Sequence, residues 1–379
     1  MDFNLTEDQQ LIQGMVREFA EEEVKPISAE IDREHRFPAE TAKRMGELGL
    51  LGVTVPEEYE GSGGDYVSYS IVMEELARVD ATHAALISGH LSLCIHPILQ
   101  FGTEEQKKKY IPDLATGRKY GGFCLTEPGA GSDAASQQTV AVDKGDHFVV
   151  NGAKAFITNG GLGGTFVLLA MTDKSLGLKG ITAFIIEAGF PGFIVGQKEE
   201  KMGICGSNTH ELIFKDMIVP KENQLGPTGQ GFKIAMQTLD GGRIGIASQA
   251  LGIAQGALEA AITYSKERQQ FGKPIAANQG LQWMMADMAT KVEASRLLVR
   301  RAAANKDMGM RITREAAMAK LYCSETAMDV TTKAVQIHGG IGYTKSYPVE
   351  RYMRDAKITE IYEGTSQVQR MVIASSILA

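Results

Sequence analysis

Glu363 stands in the string Ile361-Tyr362-Glu363-Gly364-Thr365, just ahead of a helical run, and a carboxylate so placed has two readings. It is a solvated acid favoured by the N-terminal dipole of the following helix, or it is a general base, if water is kept from it. Three further segments offer hydroxyls, exposed backbone N–H groups and room for close approach to a large flat ligand: Leu125-Thr126-Glu127-Pro128-Gly129-Ala130-Gly131-Ser132-Asp133, Phe156-Ile157-Thr158-Asn159-Gly160-Gly161 and Gln336-Ile337-His338-Gly339-Gly340-Ile341-Gly342-Tyr343. Read singly, each is a turn. Gly129 to Ala134 fits the relaxed dinucleotide fingerprint G-x-G-x-x-G/A, which needs a strand before it and a helix after it. Here Pro128 precedes it and a strand pattern begins at Thr139.

Other chemistries lack their signals. There is no G-x-x-x-x-G-K-[ST], H-E-x-x-H or G-x-S-x-G string, which speaks against nucleotide hydrolysis, zinc proteolysis and the common serine esterase layout. The seven histidines show no i, i+4 pair with a nearby carboxylate, so no metal site is indicated. His90 and His96 read as hydrogen-bonded helical histidines. Cys94, Cys124, Cys205 and Cys323 contain no Cys-x-x-Cys pair and read as buried thiols.

The elements that must position these residues fall into three textures. Residues 1 to 120 are helical in pattern: Thr6 and Gln9 form a capping box, and Leu11, Ile12, Met15, Val16 and Phe19 follow at helical spacing. Pro26 is expected to end that helix, and further helical stretches lie around 39–49, 67–79 and 103–116, with a turn at Gly61-Ser62-Gly63-Gly64. Residues 121–230 change to short Val-, Ile-, Phe- and Thr-rich runs: Thr139 to Val142, His147 to Val150, Thr165 to Ala170, Ile181 to Ile186 and Glu211 to Phe214. No helical pattern separates them, which predicts an antiparallel barrel or sandwich rather than a Rossmann sheet. Residues 231–379 return to helix. Ile244, Ala247, Leu251, Ala254, Leu258 and Ile262 share one face, Leu281, Met285, Met288, Val292 and Val299 mark a second helix, 313–337 a third, and a last one begins near Thr365. Such helices suggest a bundle.

With 379 residues, 44% hydrophobic and 22% charged, the chain can bury two or three cores at about 100–200 residues per domain. A net charge of −7 gives no basic footprint for nucleic acid or an anionic membrane. The most apolar long stretch, Ile244 to Ile262, is interrupted by Ser248, Gln249, Gln255 and Glu259, so no membrane-spanning helix is expected. The N-terminal residues lack the basic and apolar regions of a signal peptide, from which a cytoplasmic protein is inferred.

In this order and spacing, "MDFNLTEDQQ", "LTEPGAGSD", "FITNGG", "ERQQFGKPI", "QIHGGIGY" and "RDAKITEIYEGTSQVQR" resemble the acyl-CoA dehydrogenase family over essentially the whole chain. "TLDGGRIGIASQALGIAQGAL" is most similar to its short-chain, bacterial butyryl-CoA members. The resemblance implies an α+β, mainly α fold with an N-terminal helical domain, a middle antiparallel β domain and a C-terminal four-helix bundle. It implies FAD as cofactor, acyl-CoA or enoyl-CoA as substrate, an electron-transferring flavoprotein as partner, and a homotetramer built as a dimer of dimers.

Carried over by position, the resemblance makes Glu363 the base that takes the pro-R α proton as a hydride leaves the β carbon for the flavin. The thioester carbonyl is held by the backbone N–H of Glu363 and a ribityl hydroxyl. Thr126 and Thr158 bond the flavin ring, and Phe123, Leu125 and Phe156 line it. Arg268, Phe271, Gln336, Gly339 and Gly340 match residues that reach a neighbour's pyrophosphate and adenosine, and Thr365 and Gln367 match a second flavin contact. Ser132, Asp240, Arg243, Tyr362 and Gly364 match substrate contacts. Some branches of the family carry their base at the position of Gly242, where a glycine cannot serve. Ala84 stands where glutaryl-CoA dehydrogenases place an arginine for a distal carboxylate. Gly89, His90 and His338 depart from the usual butyryl pattern, and if Gly89 lines the pocket it removes a methyl from the wall. The main reading, butyryl-CoA to crotonyl-CoA or the reverse, therefore stands beside an aryl-acryloyl-CoA or branched short-chain enoyl-CoA reductase, with a non-catalytic flavin-binding subunit of an electron-transfer complex as a reading of another class.

Overall fold

The computed structural model describes residues 4–378, so the first three residues of the opening motif and Ala379 lie outside the described residues. Both halves of the capping box at Thr6 form, Gln9 N–H donating to Thr6 Oγ1 at 3.2 Å and Thr6 N–H to Gln9 Oε1 at 3.1 Å. They open α1 (Glu7–Phe19), but Pro26 does not end the helix. A π-helical turn, Ala20–Val24, leads straight into α2 (Lys25–Glu34), with Pro26 in its first turn. The wider π turn relieves the clash of the proline ring with the carbonyl four residues back, and the continuous helix forgoes the one N–H that proline lacks. Next come α3 (Ala39–Glu47) and α4 (Tyr66–Val79). A helical run that the sequence pattern marks only through the helical histidines His90 and His96 follows: α5 (Ala81–Ile87), a π segment Ser88–Ile95, and α6 (His96–Phe101). The helix α7 (Glu104–Ala115) closes this part. The run Ala81–Phe101 is long and apolar enough to cross a membrane, contrary to the expectation that no such helix exists. Its residues are mostly buried in the core, and that accounts for its apolarity.

Eight strands make one sheet: β1 (Tyr120–Cys124), β2 (Val140–Asp143), β3 (His147–Thr158), β4 (Gly163–Met171), β5 (Ile181–Glu187), β6 (Phe193–Lys198), β7 (Thr209–Pro220) and β8 (Gln224–Leu225), in the order β6-β7-β3-β2-β4-β5-β8 with β1 beside β4. The pairing is antiparallel except at β1–β4 and β2–β4, which run parallel. Along β4 the side chains alternate. Val167, Leu169 and Met171 join the core shared with the helices, while Phe166, Leu168 and Ala170 join a separate core inside the β domain. A strand buried on both faces reads as a continuous apolar run.

The C-terminal part holds α8 (Gly231–Glu267), a hairpin of β9 (Gln269–Gln270) and β10 (Lys273–Pro274), then α9 (Gln279–Asp307), α10 (Thr313–His338), α11 (Val349–Thr359) and α12 (Ser366–Leu378). From Gly241 to Ala254 every residue of α8 is buried. A helix apolar all round belongs in the centre of a core. Glycines let its neighbours close in: a Cβ on Gly252 would lie 2.3 Å from Glu74 O of α4, and one on Gly256 2.1 Å from Arg78 O. All four cysteines are free and buried.

Candidate active site

Glu363 lies in the short turn between α11 and α12 with a left-handed backbone, φ 51°, followed by Gly364 at φ 96°. A non-glycine residue in this region is uncommon, and such strain gathers at functional sites. The turn carries the side chain inward. The residue as a whole is half-buried, but its Oε2 is enclosed and has no hydrogen-bond partner, while Oε1 accepts from Ser88 Oγ at 3.4 Å. This excludes the solvated-acid reading. A Cβ on Gly242 would come within 2.2 Å of Oε2, so α8 leaves the space that the carboxyl fills. Burial raises the Glu363 pKa to about 7, against the opposing pull of Lys320, Arg243 and Ser88. Its backbone N–H has no partner among the described residues.

Arg243 and Asp240 stand one helical turn apart on α8 and pair at 2.7 Å, and Thr313 Oγ1 donates to the other Asp240 oxygen at 2.6 Å. Arg243 is buried, its Nε without a partner. Tyr362 donates its hydroxyl to Gln249 Oε1, also on α8. The structure thus gathers Glu363, Gly364, Tyr362, Arg243 and Asp240 between α8, α10 and α12. Ser132 is apart from these contacts, exposed on the loop after β1 and without a hydrogen bond among the described residues.

A second group forms where β1 ends beside β3. Ala155 N–H donates to Thr126 O at 2.9 Å, which sets Thr126 next to the end of β3. There the β3–β7 register slips between Lys154 and Ile157, and Phe156, at φ 58°, is turned out with 63% of its surface exposed. A bulge re-aims a side chain in this way. Leu125 is buried and Phe123 half-buried, and the hydroxyls of Thr126 and Thr158 have no partner among the described residues. Sequence reasoning missed what braces this group. Lys154, fully buried, donates to Leu125 O at 3.0 Å, Glu127 Oε1 at 2.8 Å and Gln137 Oε1 at 2.9 Å. A cation on a strand position enclosed by apolar neighbours is the signal that could have found it.

Gly89 faces Thr158 across the boundary between the π segment and β3. A Cβ there would meet Thr158 Cγ2 at 3.0 Å, so the glycine lets the π segment close on β3. His90 bridges Leu114 O, at 2.9 Å, and Gly121 N, at 2.9 Å. His96 takes Thr54 at 2.7 Å and Tyr66 at 2.6 Å. Both are hydrogen-bonded helical histidines.

A third group lines a cleft of about 680 Å³ that contains Arg268, His338, Gly339, Gly340, Tyr264 and Tyr347. Arg268 caps α8, and Gly339, at φ 64°, ends α10. His338 stacks on Tyr264 at 4.3 Å, which explains an aromatic-like residue there. Gln336 is exposed on the last turn of α10, and Phe271 lies at the tip of the β9–β10 hairpin, 98% exposed. Thr365 caps α12, accepting from Val368 N at 3.2 Å, and Gln367 is exposed one residue inside the helix.

The chain matches three family models: acyl-CoA dehydrogenase N-terminal domain at residues 6–118, middle domain at 122–217 and C-terminal domain at 229–378. It is 60% identical over 377 residues to the short-chain specific acyl-CoA dehydrogenase of Clostridium acetobutylicum, covering 100% of both chains. It superposes on the butyryl-CoA dehydrogenase of Megasphaera elsdenii with TM-score 0.99 at 52% identity, again over 100% of both. A chain from structural work on the electron transferring flavoprotein of Acidaminococcus fermentans and flavin-based electron bifurcation matches with TM-score 0.99 and 57% identity over 100% of both.

Proposed function

The chain belongs to the acyl-CoA dehydrogenase family, and we propose that Glu363 is the proton acceptor with which it converts a short-chain acyl-CoA to its trans-2-enoyl thioester. The reaction is FAD-dependent, with butyryl-CoA to crotonyl-CoA as the reference conversion. The enclosed, unpartnered Oε2 of Glu363 carries the assignment. When bound, FAD accepts the hydride from the β carbon. An α C–H is a weak acid, so the carbonyl must be polarised as the proton leaves; the free N–H of Glu363 suits that task. Arg243 and Asp240 take the CoA portion. In the reverse direction protonated Glu363 returns the proton. Dehydrogenation needs the carboxylate, so kcat/KM for it should rise with pH through about 7, and enoyl reduction should fall over the same window.

The residues fit FAD. Two free threonine hydroxyls and an outward Phe156 suit a flavin ring, and Arg268 with the open backbone of Gly339 and Gly340 suits a pyrophosphate. The positions of Arg268, Gln336, Gly339 and Gly340 match residues that reach a neighbour's cofactor in the family, and on that resemblance we read one subunit as completing its neighbour's site in a dimer of dimers. Phe271 at 98% and Tyr343 at 88% exposure, flanking the cleft, supply apolar surface for such a contact. Arg268→Ala should lower flavin content and shift the sedimenting species below tetramer together; a fully flavinated wild-type monomer would contradict the arrangement.

The acyl group is short. Leu93 Cδ2 would lie 2.9 Å from a Cβ on Gly242, and Tyr69 Oη 2.2 Å from one on Gly245, so both crowd α8 near Glu363. Ala84 is buried and offers no charge to a distal carboxylate. Electrons pass to or from an electron-transferring flavoprotein, a reading supported by the Acidaminococcus fermentans likeness. The test is anaerobic bleaching of the flavin absorbance by butyryl-, hexanoyl-, isobutyryl- and 3-phenylpropionyl-CoA. Butyryl-CoA should have the highest kcat/KM, and a clear preference for the phenyl substrate would overturn the choice of acyl group but not the reaction.

A further inference from the structure

Behind Glu363 lies a cation that the proposed chemistry leaves unused. Lys320 sits in the middle of α10 on the stripe Ala316, Ala317, Ala319, Cys323, Ser324 and Ala327, and its side chain is fully buried. Burying an ammonium is costly unless it is paired. Yet Lys320 has no carboxylate within ion-pair distance among the described residues, and its one hydrogen bond runs to Gly364 O at 2.7 Å. Gln369 Nε2 donates to the same carbonyl at 2.9 Å and to Glu363 O at 3.2 Å. The two left-handed residues of the turn are therefore clamped at their carbonyls from α10 and α12.

Several groups face the Glu363 carboxyl. Ser88 reaches it from the π segment, Tyr69 from α4, Tyr362 from its own turn, Arg243 from α8 and Lys320 from α10. Only the last two are cationic. Arg243 is already paired with Asp240 at 2.7 Å. Lys320 has no ion-pair partner of its own among the described residues, and its attraction to Glu363 exceeds that to Glu360.

We propose that Lys320 is the positioning residue of Glu363: its ammonium locks the Glu363–Gly364 turn through the Gly364 carbonyl, and its charge keeps the enclosed carboxyl ionised and able to accept a proton. This rests on Glu363 being the base. Burial lowers the Lys320 pKa to about 8, which still leaves the amine charged at neutral pH.

The test is the pH profile of kcat/KM for butyryl-CoA in FAD-loaded Lys320→Met, Lys320→Gln and Lys320→Arg enzymes. Loss of a nearby opposite charge should move the acid limb of the Met and Gln variants up by about one unit or more. The rate at about pH 7 should then drop by about fivefold, and by about tenfold on the acid side of the limb, while the alkaline plateau changes far less. Lys320→Arg should return the limb most of the way towards wild type. An unmoved limb in flavinated Met or Gln variants, with the rate lowered equally at every pH, would reduce Lys320 to a structural residue and overturn the proposal. An Arg variant whose limb shifts as far as that of Met would overturn it too. Should Lys320→Met fail to fold, Lys320→Gln and Lys320→Arg decide alone. Glu363→Gln separates the two ideas: if it retains the wild-type rate and acid limb, the base assignment fails, whereas an inactive Glu363→Gln beside an unmoved Lys320 profile sinks only the role of Lys320.

Discussion

Glu363→Gln is expected to fold and hold its flavin but to turn over at least about a thousandfold more slowly, since a positioned base contributes on the order of 10²–10⁴ and the carboxyl has no substitute nearby. Near wild-type turnover in that variant would remove the assignment. The geometry also says how the base could be moved. Gly242→Glu alone would force the Glu363 side chain to move, because its Cβ would lie 2.2 Å from Glu363 Oε2. Gln has the same bulk, so Glu363→Gln with Gly242→Glu should recover less activity than a background in which residue 363 is small. Glu363→Gly with Gly242→Glu empties that space and should recover part of the activity. The comparison is read from single-turnover flavin reduction, with Glu363→Gly alone as the baseline.

Lys154→Met is expected to be the most damaging change in the β domain. All three protons of this fully buried ammonium are used, on Leu125 O, Glu127 Oε1 and Gln137 Oε1. Glu127 is buried as well and accepts from the backbone N–H groups of Gln138, at 2.6 Å, and Thr139, at 3.0 Å. Burial pushes its carboxyl up, but the Lys154 charge and these bonds outweigh that and hold it below the usual range. Removing one partner of a buried pair strands the other, at a cost of about 3–5 kcal/mol. The loss falls where it matters for the flavin, because Lys154 ties the Leu125–Glu127 segment to the strand that carries Phe156 and Thr158. The variant should lose flavin and unfold at markedly lower denaturant concentration, followed by flavin absorbance and circular dichroism on the same samples. Wild-type flavin content and midpoint would show that the pair is dispensable.

Much of this protein is legible in local pattern. The Thr6–Gln9 capping box, the apolar stripe of α8 and the runs that became β3, β4, β5 and β7 are decided by neighbours a few residues apart, and the three textures followed from them. The motif strings pointed to the family and to Glu363. What local pattern could not decide was anything set by packing between distant segments. Pro26 reads as a helix stop, yet a π turn carries the helix through it. Ser88–Ile95 has no recognisable helical face because it is buried on nearly all sides, so beyond the helical reading of His90 and His96 the extent of the run that presents Ser88 to Glu363 and Gly89 to Thr158 is not legible in local pattern. The close approach of Gly89 to Thr158 joins two distant elements and is set only by the fold. Lys154 and Lys320 are ordinary lysines in the sequence. Only tertiary structure makes them buried cations, because the groups that satisfy them come from other elements, and the cost of desolvating a charge is determined by the completed surroundings rather than by its neighbours in the chain.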